Sequence, residues 1–141
     1  MTDTGRLVDD LSDSWAVTHG KGALAVLSLV ILRERECWAG ELQERLREIS
    51  GGVFDTDAAS IHRMLRRLHR FGLLQCVGTQ SCGPGAPRKI FAITQTGEAV
   101  LRAHFETTLA YLRSAIFVRA HEDLALEPLR PCECRCPDHG A

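Results

Sequence analysis

Residues 56–72, TDAASIHRMLRRLHRFG, contain the clearest pattern in this chain. Four apolar residues recur at i, i+3, i+4 and i+7, the spacing of a helix with one buried side: Ile61, Met64, Leu65 and Leu68. Thr56 or Asp57 can accept a hydrogen bond from the first turn, and Gly72 is typical of a helix end. We therefore predict an amphipathic helix with both ends marked.

The other side of this helix is basic. One line carries Ser60, Arg63, Arg67 and Arg70, and beside it lie His62, Arg66 and His69. No acidic residue follows Asp57 in the helix. Like charges at these spacings repel by a few tenths of a kcal/mol per pair, which favours an anionic neighbour such as phosphate. The alternative is a basic face that only meets solvent.

Composition limits the classes of protein. The chain of 141 residues, with 45% hydrophobic and 25% charged residues, fits one soluble domain with appendages. Its formal net charge of −1 gives no overall attraction for nucleic acid, so DNA binding requires a local patch. The N-terminus has no signal-peptide pattern, which indicates a cytoplasmic protein. Phosphate loops, zinc-protease and nucleophile-elbow motifs are absent, so we expect no enzyme.

The first half of the chain predicts helices. Residues 1–21 are weakly amphipathic and predict a short N-terminal helix that packs on another element. Residues 22–33 predict a helix that is apolar on all sides, with one side in the core and the other against a second chain. Its apolar run 23–32 spans only about 15 Å, half of a bilayer core, so we expect no membrane span. Residues 38–49 predict a supporting helix.

The period changes from 3.6 to near 2 after Gly72. Residues 74–80 and 88–94 have strand composition and flank the turn SCGPGAP, which predicts a β-hairpin. Arg88 and Lys89 follow its tip. Three helices and a hairpin predict a mostly α fold with a small β-hairpin (α+β), a winged helix-turn-helix over 22–95. In that fold the third helix enters the major groove and the hairpin reaches the flanking backbone.

The C-terminal part predicts dimerisation. Residues 96–121 read as one long helix with an apolar stripe that has no partner in the domain: Leu101, Phe105, Leu109, Leu112 and Ile116. This helix and the one at 22–33 are the predicted dimer contact. Residues 122–141 are rich in Glu, Pro and Cys and predict a flexible tail.

Four segments together resemble the PadR family of bacterial transcriptional regulators: ALAVLSLVIL, GEL, ASIHRMLRRLHRFGLL and RKIFAITQTGEAVL. The resemblance covers about 22–101 and implies a dimeric winged-helix repressor of the shorter subgroup, with one helix after the wing. The chain departs from the pattern at His62 and Arg63, where Tyr and Pro are common. It also has Trp38-Ala39-Gly40 in place of a His-Gly-Tyr turn.

These observations lead to one functional hypothesis. We expect a homodimeric, sequence-specific regulator, a repressor released by an effector, that binds double-stranded DNA at an inverted-repeat operator. The expected DNA contacts are Ser60, His62, Arg63, Arg66, Arg67, Arg88 and Lys89. Arginine pairs with guanine edges or phosphate, and serine with phosphate oxygens. One of the adjacent arginines can instead form a structural ion pair. A winged-helix module that binds protein and not DNA is the alternative function.

Two tryptophans have two interpretations. The resemblance implies an aromatic small-molecule effector near the dimer centre, where an indole can stack on Trp15 or Trp38. The alternative, which we favour, is that both are core residues, since Trp is usually largely buried.

The cysteines suggest a second way of sensing. Cys132, Cys134 and Cys136 alternate in the tail, with His139 beyond them. Their spacing suits Zn or Cu, and Cys76 and Cys82 of the wing can add further sulfur. The tail can therefore belong to a metal- or thiol-redox-sensing version of the same regulator, or it can be inert. No cofactor is certain.

Overall fold

A computed structural model of the chain describes residues 2–81 and 83–124. It contains α1 (Asp3–Glu34), β1 (Cys37–Trp38), α2 (Ala39–Ile49), α3 (Ala58–Arg70), β2 (Leu74–Gln80), β3 (Arg88–Ile93) and α4 (Gln95–Glu106). A 3₁₀ turn (Ala110–Arg113) and α5 (Ala115–Leu124) follow. The chain divides into two compact units, Met1–Ala103 and His104–Ala141. The mostly helical fold with a small antiparallel sheet is the predicted class.

The sheet has the strand order β1-β3-β2, and both pairings are antiparallel. The predicted hairpin of β2 and β3 is confirmed, with an irregular register between Cys76 and Gly78. Strand β1 was not predicted, because two residues are too short to show a period. It pairs with β3 through Cys37 opposite Phe91 and Trp38 opposite Ile90.

The core of the first unit joins α1, α2, α3, β2 and α4. It includes Leu29, Ile31, Leu32, Leu42, Leu46, Leu74 and Leu101. The predicted inward stripe of α3 is confirmed, since its four apolar residues are all buried. The opposite side of α3 is thereby fixed toward solvent.

The N-terminal region differs from the prediction. One helix, α1, covers both the expected short helix in 1–21 and the apolar helix that follows. Gly20 and Gly22 each disfavour a helix by only about 1 kcal/mol, and no proline interrupts it. Leu7 and Trp15 are exposed, so within the described part of one chain the N-terminal half has no element to pack on.

The continuous helix α1 also changes the membrane argument. Its 32 residues span about 48 Å and its composition is apolar enough to cross a bilayer. Length therefore does not exclude a span. At its C-terminal end Ser28, Leu29, Ile31 and Leu32 pack inside the first unit, although only 22% of the apolar window is buried.

The single helix expected over 96–121 is wrong. Helix α4 ends at Glu106, and α5 begins after Ser114, whose Oγ accepts a hydrogen bond from the Phe117 amide at 3.3 Å. Thr107, Thr108 and Ser114 favour turns and caps over helix interiors, and apolar spacing does not register such breaks. The expected tail begins inside α5, and residues 125–141 lie outside the described part of the chain.

Candidate nucleic-acid interface

Both ends of α3 are fixed by local hydrogen bonds. Asp57 is the N-cap, and its carboxylate accepts from the Ser60 amide at 3.1 Å. At the other end Gly72 has a φ of 78°, and the Leu73 amide donates to the Leu68 carbonyl at 3.0 Å. These bonds satisfy groups that a helix end leaves unpaired. They confirm the predicted ends and select Asp57 over Thr56 as the cap.

Ser60 connects the cap to the first arginine of the basic side. Its hydroxyl donates to Asp57 Oδ1 at 2.6 Å and accepts from Arg63 Nη2 at 2.9 Å. The hydrogen bond from the Ser60 hydroxyl, and then that from its amide, lower the pKa of the Asp57 carboxyl. Ser60 thus orients Arg63 along the outer side of α3. The sequence had indicated only a phosphate contact for Ser60.

The arginines of α3 differ from those of α1, of α2 and of the loop between these two helices. Arg6, Arg33, Arg35, Arg45 and Arg47 each form an ion pair with an aspartate or glutamate. Among the described residues, no such pair is made by Arg63, Arg66, Arg67 or Arg70. All four are exposed. The alternative of a structural ion pair for Arg66 or Arg67 is therefore not observed.

A groove of about 670 Å³ lies between α1 and α3. We call it the basic groove; its lining is Lys21, Leu24, Ala25, Ser60, Arg63, Met64, Arg66, Arg67 and Arg70. Its cations come from both helices, and none of the described residues that line it is a carboxylate. Its floor is apolar, and below it Ser28 Oγ contacts Met64 Sδ at 3.5 Å. The groove is a concave cationic surface suited to a phosphate backbone.

Lys21 was not predicted from the sequence, and Arg70 was not among the expected DNA contacts. Lys21 precedes Arg63 by 42 positions (63 − 21), so no local pattern could join them. Arg70 was visible on the basic line of α3. Conversely, His62 is exposed and does not line the groove. His69 makes a T-shaped ring contact with Phe91, with 6.3 Å between the ring centroids.

The wing places its two cations apart. Arg88 and Lys89 are exposed neighbours in β3, and successive side chains of a strand point to opposite faces. The Arg88 guanidinium lies over the Trp38 ring, 4.0 Å from its centroid. The two residues therefore do not form one patch.

The two tryptophans are not brought together. Trp15 is 70% exposed on α1, so the core interpretation fails for it within one chain. Trp38 is half-buried at the start of α2, where Arg88 covers its ring. Within the described residues no ring contact joins Trp15 to another aromatic side chain.

The candidate metal set falls largely outside the described residues. Cys82, Cys132, Cys134, Cys136 and His139 all do. Cys76 is described, exposed on β2, with its thiol donating to the Gly78 carbonyl at 3.3 Å. The described residues contain no group of three metal-ligating side chains. Cys37 is buried, and burial raises its pKa to about 11, which keeps that thiol protonated.

Comparison with known proteins gives a family match. The model of the transcriptional regulator PadR-like family matches residues 27–103, more than half of the chain. No curated protein matches. Among solved structures, a PadR family transcriptional regulator from Eggerthella lenta superposes with a TM-score of 0.64 at 24% identity, covering 86% of this chain and 99% of its own.

Two further solved structures have the same fold. A PadR-like transcriptional regulator from Bacillus cereus has a TM-score of 0.54 at 22% identity, covering 79% of this chain and 99% of its own. PadR of Bacillus subtilis, solved in complex with operator DNA, has a TM-score of 0.53 at 19% identity and covers 74% and 60% of the two chains. At these identities the likeness is one of fold.

Proposed function

Because this chain belongs to the PadR-like family of transcriptional regulators, we propose that it binds an inverted-repeat operator as a dimer and represses transcription. The observation that carries this proposal is that the α3 arginines form no ion pair with a carboxylate in the described part of the chain. Five arginines elsewhere in the same unit are neutralised by neighbouring acids. A surface that keeps its cations free is suited to an external anion.

DNA is the anion that fits this geometry. The major groove is about 12 Å wide and admits one helix, and the buried stripe of α3 leaves its basic side outward. Arg63, Arg66 and Arg67 then reach base edges or phosphates, and Lys21 lies on the α1 side of the same groove. The DNA-bound relative from Bacillus subtilis supports this assignment over a protein-binding module.

The dimer is proposed from apolar residues left exposed in each unit. In the first unit these lie on the N-terminal half of α1, at Leu7, Val8, Leu11 and Trp15. In the second they include Phe105, Leu112, Ile116 and Phe117. Exposed apolar residues that cluster on one element usually mark a contact between proteins. We propose that a second copy covers these residues and that the dimer presents its two α3 helices to half-sites about 34 Å apart, one turn of DNA.

We propose two alternative signals that release the DNA. An aromatic effector is best placed at Trp15, since the ring of Trp38 is already covered by Arg88. The second form is metal or redox sensing through the tail cysteines. In both forms we propose a cytoplasmic regulator without catalytic activity.

A titration with the protein's own upstream DNA tests the proposed function. Fluorescence anisotropy would compare that DNA with a random duplex of equal length, at several salt concentrations. We expect preferential binding, and protection of two half-sites one helical turn apart in a footprint. Equal and weak binding to both duplexes at low salt would instead support the protein-binding module.

A further inference from the structure

Trp38 and Arg88 come from different elements and meet at the edge of the sheet. Trp38 ends β1 and lies opposite Ile90 of β3, so Arg88, two residues from Ile90, is its diagonal neighbour on the same face. Diagonal neighbours are within reach of long side chains. The Arg88 guanidinium uses this position to lie over the indole, with 4.0 Å between Cζ and the ring centroid.

Gly40 provides space for the indole. A Cβ atom at position 40 would lie 2.1 Å from one ring carbon of Trp38 and 2.2 Å from the next. Any side chain there would displace the ring. The backbone of Trp38 is also held, because it pairs with β3 and is the N-cap of α2. Backbone pairing and the absence of a side chain at Gly40 therefore fix the ring under Arg88.

Arg88 has no competing partner among the described residues. It forms no ion pair, and it is exposed beside the turn of the wing. A stacked guanidinium uses its planar face, which leaves its N–H groups available at the edge of the plane. Lys89 points to the opposite face and has no aromatic neighbour in the described structure.

We propose that Trp38 is a positioning residue for DNA binding, which holds the wing residue Arg88 with its N–H donors free for a phosphate of the flanking backbone. This deepens the proposed function and rests on it. Without the indole, Arg88 samples many rotamers and loses that freedom on binding. An exposed cation–π contact corresponds to about a two- to fivefold change in affinity.

A double-mutant cycle tests the proposal on the full-length protein. Trp38→Ala, Arg88→Ala and the double variant would be titrated with operator DNA, with Trp38→Phe and Arg47→Ala as controls. We expect Trp38→Ala to weaken binding about two- to fivefold, Arg88→Ala at least as much, and the double variant no more than Arg88→Ala. Trp38→Phe should restore most of the affinity, because phenyl still stacks. Arg47, paired with Glu44 on α2, should be silent.

Fluorescence gives a readout that a purely structural role would not change. The chain has two tryptophans, so in a Trp15→Phe background Trp38 is the only indole. We expect Arg88→Ala to shift the Trp38 emission of the folded, DNA-free protein. Gly40→Ala, which displaces the ring but keeps both stacking residues, should shift it similarly and weaken DNA binding.

The outcomes separate this proposal from the proposed function. Additive losses in the cycle, or a Trp38→Ala variant that binds like the parent, would overturn the positioning role. Normal binding by Arg88→Ala beside a loss in Arg67→Ala would overturn it too, while DNA binding through α3 stands. Failure of the parent to bind any DNA overturns both. If Trp38→Ala lowers the Tm, the DNA affinity of Trp38→Phe and the shift in Trp38 emission decide the question instead.

Discussion

Arg67 and Arg47 differ in their neighbours more than in their exposure. Arg67 lines the basic groove without a carboxylate, whereas Arg47 is paired with Glu44 one turn earlier on α2. An exposed ion pair contributes about 0–1 kcal/mol to folding, so removing either arginine should leave the domain folded. Variants of Arg67 and Arg47 can therefore be compared for DNA binding without a difference in stability.

Arg67→Ala should weaken operator binding about fivefold or more, and Arg47→Ala should not. If Arg67 contacts phosphate, the slope of log affinity against log salt should flatten by about one unit; if it contacts a base, specificity should relax at one position. Anisotropy titrations at four salt concentrations measure both. Arg63→Ala should behave in the same way. A variant that binds like the parent removes that arginine from the interface.

Asp57 should make stability depend on pH. The pKa of the Asp57 carboxyl is lowered in the folded state, chiefly by the hydrogen bond from the Ser60 hydroxyl. The ionised carboxylate therefore stabilises the fold fully at pH values above the unfolded-state pKa of about 3.9. This stabilisation is lost as the pH falls through the folded-state pKa. Asp57→Asn keeps a cap acceptor without the charge. We expect the parent to have the higher Tm at pH 7 and the difference to shrink at pH 3. A difference that stays constant would contradict this account.

Helices and strands could be predicted from local sequence patterns where they have a clear apolar period and residues that mark both ends. Helix α3 and the hairpin meet both conditions, and their observed bounds lie within two residues of the prediction. Strand β1 has no period, and its pairing partners Ile90 and Phe91 lie more than 50 residues later in the chain. The same reason explains why Lys21 and the Trp38–Arg88 stack were missed, since each depends on contacts between distant segments.

The junction between the wing and α4 explains a short motif. The Thr94 hydroxyl donates to the Gly72 carbonyl at 2.6 Å and accepts from the Gly97 amide at 3.0 Å. Gly97 itself is buried, and a Cβ atom there would lie 2.3 Å from the Leu73 carbonyl oxygen. The motif Thr94…Gly97 thus caps α4 and lets it approach the end of α3.

Gly97→Ala should destabilise the fold by about 1–3 kcal/mol, because a backbone carbonyl cannot move aside as a flexible side chain can. Gly22→Ala is the matched control. It also lies in a helix, but its Cβ would meet nothing within 4 Å, so the change should stabilise by up to about 1 kcal/mol. Urea unfolding of both variants measures the difference. Two variants with the same midpoint would show that the close approach has no energetic effect.

At the scale of the whole molecule, the proposed dimer depends on residues that the single chain leaves uncovered. The apolar spacing of 96–121 indicated them, although the backbone breaks that segment into α4, a 3₁₀ turn and α5. Spacing reports which side chains lack a partner. It does not report where the helix ends, because a threonine or serine changes the backbone without changing the apolar period.

Phe105→Glu and Leu112→Glu should each produce monomer or insoluble protein, because an unpaired charge in an apolar contact is costly. Size-exclusion chromatography with light scattering measures the mass. Arg113→Glu is the control, since it places the same charge in the same segment at a polar position. Soluble dimers of native size from both apolar variants would place the dimer contact elsewhere.

Because α1 is one unbroken helix, it keeps acidic residues near its start apart from the basic groove. Asp9, Asp10 and Asp13 form an acidic cluster near the N-terminus, and Lys21 belongs to the basic groove. Along the helix Asp10 and Lys21 are separated by about 16 Å, twice the screening length of about 8 Å at physiological ionic strength. A hinge at Gly20 or Gly22 would let this acidic segment fold back and act as an internal counterion for the arginines. The continuous helix instead holds the acidic cluster away from the arginines and leaves the cationic surface open to polyanions.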